Sequence, residues 1–272
     1  MRTSVKTSIN LLTLSHAWNK SDVFDLYKEK GHFALFMLEA MSRSDLPSFT
    51  YRGRKHPLQK SQSWYAAFDK DLKRYFSENK TVILKAAKRT ACKEAKRFPK
   101  QLSRLLETFG KYKPTCTSVT LTPNLFGVPG EGYGPLIGKT AYAVFTPDTK
   151  KDQTWLMIHE VCHSLLLPVF QSADVKRSIK KTMPLMEKWS TKKFRRYYPK
   201  WEWLIEEYFI HTIEQYVSGS SISEKMSWGM SRLPWFIDSW SAFQSRRKID
   251  SDLSVEKWVR ETLSSMEKSV HK

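Results

Sequence analysis

An α+β domain, mostly helical, with a small β-sheet directly ahead of its most apolar helix is the fold class these 272 residues predict. Three observations carry that expectation. Apolar residues at helical spacing and an alanine-rich stretch dominate residues 22–109. A β-branched run at 118–122 and an alternating run at 139–146 follow, separated by a glycine-rich stretch. No internal repeat or low-complexity linker divides the chain, so one domain over 1–272 is expected.

Taken in order, Phe24, Tyr27, Phe33, Leu35, Phe36 and Leu38 mark a helix from about Asp22 to Ser42. Asp45-Leu46-Pro47 and Arg52-Gly53-Arg54 break it. Residues 62–77 and 80–97 read as two helices, the second favoured by Ala86, Ala87, Ala91 and Ala95. Phe98-Pro99 predicts an end there, because proline lacks the N–H that the next turn needs. A further helix is expected from Pro99 to Phe109. Ser118 to Thr122 reads as a strand. Gly127, Gly130, Gly132, Gly134 and Gly138 predict a turn-rich loop, and Lys139 to Thr146 a second strand. Pro147-Asp148-Thr149 closes it. A helix then runs from Asp152 to Leu167, where Pro168 predicts its stop. The chain thus divides into a helical basic part (1–113), a core (114–217) and a helical C-terminal part (218–272).

Charge is segregated. The 46 Lys and Arg outnumber the 27 Asp and Glu, for a formal net charge of +19. Residues 52–113 carry +13 and residues 176–200 carry +9, so the rest is nearly neutral. Such blocks, with aromatics such as Trp64, Tyr75, Trp189, Phe194, Tyr197 and Tyr198 interleaved, can attract nucleic acid, another polyanion or an acidic protein. Lysine-rich helix faces also serve simply to keep a protein solvated. No helix-turn-helix, RNP-type or zinc-finger pattern is present. Cys92, Cys116 and Cys162, odd in number and without a CxxC, exclude a disulfide framework and a zinc ribbon. The apolar stretch of Met1 to Lys20 is too short for a secretion signal, and no run approaches the roughly 18 residues of a membrane span. A cytoplasmic protein is expected.

The chemistry lies in His159-Glu160-Val161-Cys162-His163, an H-E-x-x-H. Residues i and i+4 share a helix face, so both imidazoles can bind one Zn²⁺. Glu160, one residue on, can reach a metal-bound water as general base without binding the metal. The flanks Trp155 to Ile158 and Leu165 to Leu167 make this a buried helix, in which two imidazoles and a carboxylate need a partner. Cys162 points away from the two-His face and reads as a core residue. For a third ligand, Leu166 and Val169 occupy the Gly and His positions of the extended HExxHxxGxxH pattern. Downstream, Glu206, Glu207 and His211 lie on one apolar helix. The stripe Ile205, Phe209, Ile213 and Tyr216 runs nearer Glu206 than Glu207, and spacing alone does not choose between them. Tyr198 and Tyr133 are candidate donors to an oxyanion. His16, His32, His56 and His271 show no partner spacing.

HEVCHS, followed 44 residues after His163 by EYFIH, resembles the zincin-like gluzincin metallopeptidases, including the lethal-factor-like group. In that family the ligand Glu opens an E-aromatic-aromatic segment. The resemblance implies a zincin-like fold, zinc held by His159, His163 and Glu207, and His211 as the side chain that steadies a ligand. It further implies a peptide or protein substrate, cleaved with Glu160 as base. The stretch Gly130 to Pro135 resembles the YGP-containing turn of an uncharacterised bacterial zincin-like family. The likeness spans residues 118–216, and His211 stands where an acidic residue is usual. HEVCH alone is also similar to the SprT-like DNA–protein crosslink proteases, but no third His follows at short distance. The competing expectation is a non-catalytic polyanion-binding protein whose HExxH is a structural zinc site or an accident.

Overall fold

The computed structural model describes residues 1–20, 25, 43–45, 50–51, 65–88, 93–127, 130–147 and 152–270. The fold is α+β and mostly helical, with a small mixed sheet. The sheet begins with β1 (Arg2–Val5), which the sequence reading had not placed in it. This strand runs parallel to β4 (Ser118–Pro123), pairing Arg2 with Ser118 and Val5 with Leu121. Ser4 Oγ and Thr120 Oγ1 lie 3.0 Å apart across that pair. β4 in turn runs parallel to β7 (Thr140–Phe145), in register from Ser118–Thr140 to Pro123–Phe145. The glycine-rich loop expected at 127–138 holds two short strands, β5 (Gly132–Tyr133) and β6 (Leu136–Ile137), both antiparallel to β7. β5 forms one border of the sheet. A separate antiparallel pair joins β2 (Arg43–Asp45) to β3 (Thr50–Tyr51).

Strand side chains alternate between faces, so one strand can serve two cores. Ala141, Ala143 and Phe145 of β7 join the larger core, with Val119 and Leu121 of β4. Val144 points the other way, into a second cluster with Leu11, Leu12 and Leu14 of α1 (Ile9–Lys20). Phe68, Leu72, Phe76 and Ile83 complete that second layer. They lie on α2 (Tyr65–Ala87), one helix where two were expected. Their 4, 4 and 7 spacing keeps a single face buried straight through Asn79-Lys80.

Both proline stops fail, for the same reason. Pro99 lies inside α3 (Lys93–Thr108), because Phe98, Leu102 and Leu105, with Phe109 just beyond the helix, form a buried row. Pro168 lies inside α4 (Thr154–Gln171), where Val169 and Phe170 beyond it are buried. In each case packing outweighs one lost backbone hydrogen bond.

α4 packs against β7, α3 and α8 (Trp201–Ser218). Between α4 and α8 run α5 (Ala173–Thr182), α6 (Met186–Trp189) and α7 (Lys192–Tyr197). After them come α9 (Ile222–Trp228), α10 (Leu233–Ile249) and α11 (Val255–Val270). Trp240, Trp258, Phe209 and Phe236 fill the core on that side. No helix among the described residues is long and apolar enough to cross a membrane. Of the helix expected at 22–42 only Asp25, helical, is among the described residues, and the turn at 52–54, His32, His56, His271 and Cys92 lie outside them.

Candidate metal centre

α4 is buried on nearly every side, and His159 and Glu160 are each at most 6% exposed within it. The helix brings His159 Nε2 and His163 Nε2 to 3.3 Å of each other. α8 supplies Glu207 opposite them. Its Oε2 lies 3.4 Å from His159 Nε2, and its Oε1 lies 3.5 Å from His163 Nε2. His159, Glu207 and His211 form a buried group that could hold a metal ion. His211 Nε2 is 3.5 Å from Glu207 Oε2, and its ring centroid is 4.5 Å from that of His159.

Glu206 does something different. It is partly exposed and accepts a hydrogen bond of 3.1 Å from His163 Nδ1–H, on the ring edge away from Glu207. The apolar stripe had pointed to Glu206 as the more inward residue, but Glu207 is the buried one. Cys162 is wholly buried in the core. His16 is tied by its Nδ1 to the Tyr75 hydroxyl at 2.8 Å, away from this centre.

Two residues at the centre were not singled out from the sequence. Glu214, one turn beyond His211, is fully buried, and its Oε2 accepts 2.8 Å from His211 Nδ1–H. The same oxygen lies 3.4 Å from His159 Nδ1. Lys225 of α9, also buried, donates to it at 2.7 Å. The ammonium sits 4.3 Å from the centroid of the Trp155 ring and 4.9 Å from that of Trp228. The 207, 211, 214 spacing was a legible helical face. Nothing in the sequence marks Lys225 apart from other lysines.

Charge balance is the informative quantity. Among the described residues, Glu160, Glu207 and Glu214 are buried carboxylates and Lys225 is the buried ammonium. Three negative groups against one positive leave a formal deficit of two positive charges, in a place where uncompensated charge is costly. Without a cation the groups compromise. Burial first, with Glu207 and Glu214 adding to it against His163, pushes Glu160 up to about 8. Burial also raises Glu207 and holds His159 well below the ordinary histidine range. Burial opposes charge on His163 too. There the hydrogen bond to Glu206 and the Glu207 and Glu160 carboxylates outweigh it, pushing the ring up to about 9. Burial likewise works against Glu214, but His159 beside it, the hydrogen bond from His211 and the ammonium of Lys225 hold it well below the usual carboxylate range.

The donor set fits a metal. Glu207 Oε2, 3.4 Å from His159 Nε2, is buried with no hydrogen-bond partner. His159 Nε2 and His163 Nε2, 3.3 Å apart, match the edge of about 3.3–3.4 Å that bonds of about 2.0–2.1 Å give a tetrahedron, and the two Glu207 oxygens lie at 3.4 and 3.5 Å from one imidazole each.

β5 crosses α4 at Glu160, which explains two glycines. A Cβ on Gly132 would lie 2.7 Å from Glu160 Oε1, and one on Gly134 would overlap the Glu160 backbone carbonyl. Ser164 Oγ–H donates to Gly134 O at 2.9 Å and locks the crossing. Gly134→Ala is therefore expected to cost about 1–3 kcal/mol, read as a lower urea midpoint. Tyr198 faces the centre as well. Burial, then the Glu207 and Glu160 carboxylates, push its phenol far up. Burial, with Glu131 and Glu160, pushes Tyr133 up to about 12.

None of the protein-family models, curated proteins or solved structures compared with the chain matches it.

Proposed function

We propose that the protein is a zinc-dependent metallopeptidase. The observation that carries this reading is the buried group of His159, Glu207 and His211 that could hold a metal ion, with His163 Nε2 3.3 Å from His159 Nε2 and Glu207 set against both imidazoles. Two imidazoles and one carboxylate suit zinc, and His159, His163 and Glu207 would hold it. When bound, zinc supplies polarisation of a peptide carbonyl and acidification of a water.

The chain's own residues do the rest. Glu160 lines the cavity beside the donors and is separate from them, so it takes a proton from the attacking water and passes it to the leaving amine. Tyr198, kept protonated, donates to the oxyanion. The border strand β5 offers backbone groups to an extended peptide. Glu214 and Lys225 orient His159 and His211.

The test is elemental analysis beside a peptide-cleavage assay. Wild type is expected to carry about one zinc per chain, and His159→Ala and Glu207→Ala to lose both metal and activity. Metal-free wild type, or full metal content in both variants, would end this reading.

A further inference from the structure

Two cavities meet at Glu160, and both are lined by Gly132, His159, Glu160 and Tyr198. One, of about 580 Å³, extends over Pro135, Leu136 and Leu167 and includes Glu206. The other, of about 440 Å³, is walled by Trp155, Phe194, Tyr197 and Trp228, with Lys193 among its lining residues. Both volumes lie within the about 300–1,000 Å³ usual for ligand pockets.

The second cavity owes its character to the short helix α7. Thr191 caps it by accepting from Phe194 N–H at 3.2 Å. The run Lys192-Lys193-Phe194-Arg195-Arg196-Tyr197 then divides by role. Phe194 is buried, and Tyr197 remains 72% exposed although it lines the cavity. Arg195 is committed to the Ser190 carbonyl at 2.6 Å. Lys192, Lys193 and Arg196 are exposed and have no ion-pair partner among the described residues. The exposed ring of Tyr197 beside the unpaired Lys193, in a cavity that also reaches Glu160, is more than a solvated face requires.

We infer that the cavity of Trp155, Phe194, Tyr197 and Trp228 is a specificity pocket for an aromatic or large aliphatic side chain next to the scissile bond. Lys193 and its neighbours select an acidic residue beside that side chain. The substrate class is thus an acidic peptide segment containing an aromatic or large aliphatic residue. This inference rests on the peptidase reading and names its substrate. Aromatic walls receive the apolar side chain, and unpaired cations attract the carboxylate.

The experiment digests a mixture of proteome-derived peptides with the zinc-loaded protein and reads cleavage sites by mass spectrometry. Phe, Tyr, Trp or Leu is expected on one fixed side of the bond, with Asp or Glu within a few positions. In Lys193→Glu, the ratio of kcat/KM for acidic over basic peptides is expected to fall about tenfold. In parallel, an acidic, Phe-containing fluorescent peptide is titrated against Glu160→Gln. It is expected to bind, and to bind more weakly at high salt and in the Glu160→Gln/Lys193→Glu double variant. Cleavage without this preference, or a preference that Lys193→Glu leaves in place, overturns the inference and leaves the peptidase reading standing. Failure to cleave any peptide overturns the peptidase reading, and the binding arm then decides the pocket by itself. Preference of Glu160→Gln for a single-stranded oligonucleotide over the peptide also overturns it.

Discussion

Glu160→Gln is expected to purify with the wild-type metal content and to hydrolyse peptide about 10³-fold more slowly, the loss that removing a general acid–base group produces. The substitution keeps the shape of a side chain packed under β5, where Gly132 leaves it room. It therefore isolates proton transfer from folding. It also separates Glu160 from the donors, because His159 Nε2, His163 Nε2 and the Glu207 carboxylate complete their spacing without it. Elemental analysis and kcat measured on one preparation give both halves. Loss of metal in this variant would make Glu160 a ligand, and unchanged kcat would remove it from the reaction.

Lys225→Met is expected to lower stability by about 3–5 kcal/mol, the usual result of deleting one member of a buried charge pair. Methionine fills nearly the same volume, so the loss reports charge rather than a cavity. The ammonium is held between the rings of Trp155 and Trp228 and donates 2.7 Å to a carboxylate with no exposure at all. Without it, Glu214 keeps the hydrogen bond from His211 but remains a buried anion with one oxygen unpartnered. Adding Glu214→Gln to Lys225→Met removes that anion, and part of the loss should return, a coupling that urea denaturation of the four proteins in the cycle measures. Because Glu214 also faces His159 at 3.4 Å, chelator competition should show metal binding about 10–100-fold weaker in Lys225→Met. Wild-type stability in that variant would mean that Glu214 is not held as an anion.

The residues of the candidate metal centre were more legible than some of the helices around them. H-E-x-x-H fixes two side chains on one helix face by spacing alone, and the α-helix realises that spacing whatever surrounds it. Choosing Glu207 over Glu206 was beyond periodicity, because one residue is a rotation of only about 100° and the apolar face of α8 covers most of its circumference. The family likeness pointed to Glu207, and the geometry sets that residue against both imidazoles. Pro99 and Pro168 misled for an instructive reason. Local rules count the missing N–H, whereas the buried residues that follow each proline are stabilised by contacts far along the chain. β5 and β6 were hidden inside a glycine cluster because glycine signals a turn, although here it also permits a strand to lie against a helix backbone. Lys225 was invisible, since the partner that buries it lies on another helix.

The pairing of residues 2–5 with residues 118–121 has a consequence for how the molecule is made. Ser4 and Thr120 are 116 positions apart, so the first strand leaves the ribosome long before its neighbour exists. At roughly 5–20 residues per second it waits on the order of ten seconds or so, with the apolar side chains of α1 unsheltered by β7. Such distant parallel pairing is closed late and slowly. A nascent chain stalled before residue 140 should therefore be bound by holdase chaperones and cut readily by proteases, and the released 272-residue chain should resist both.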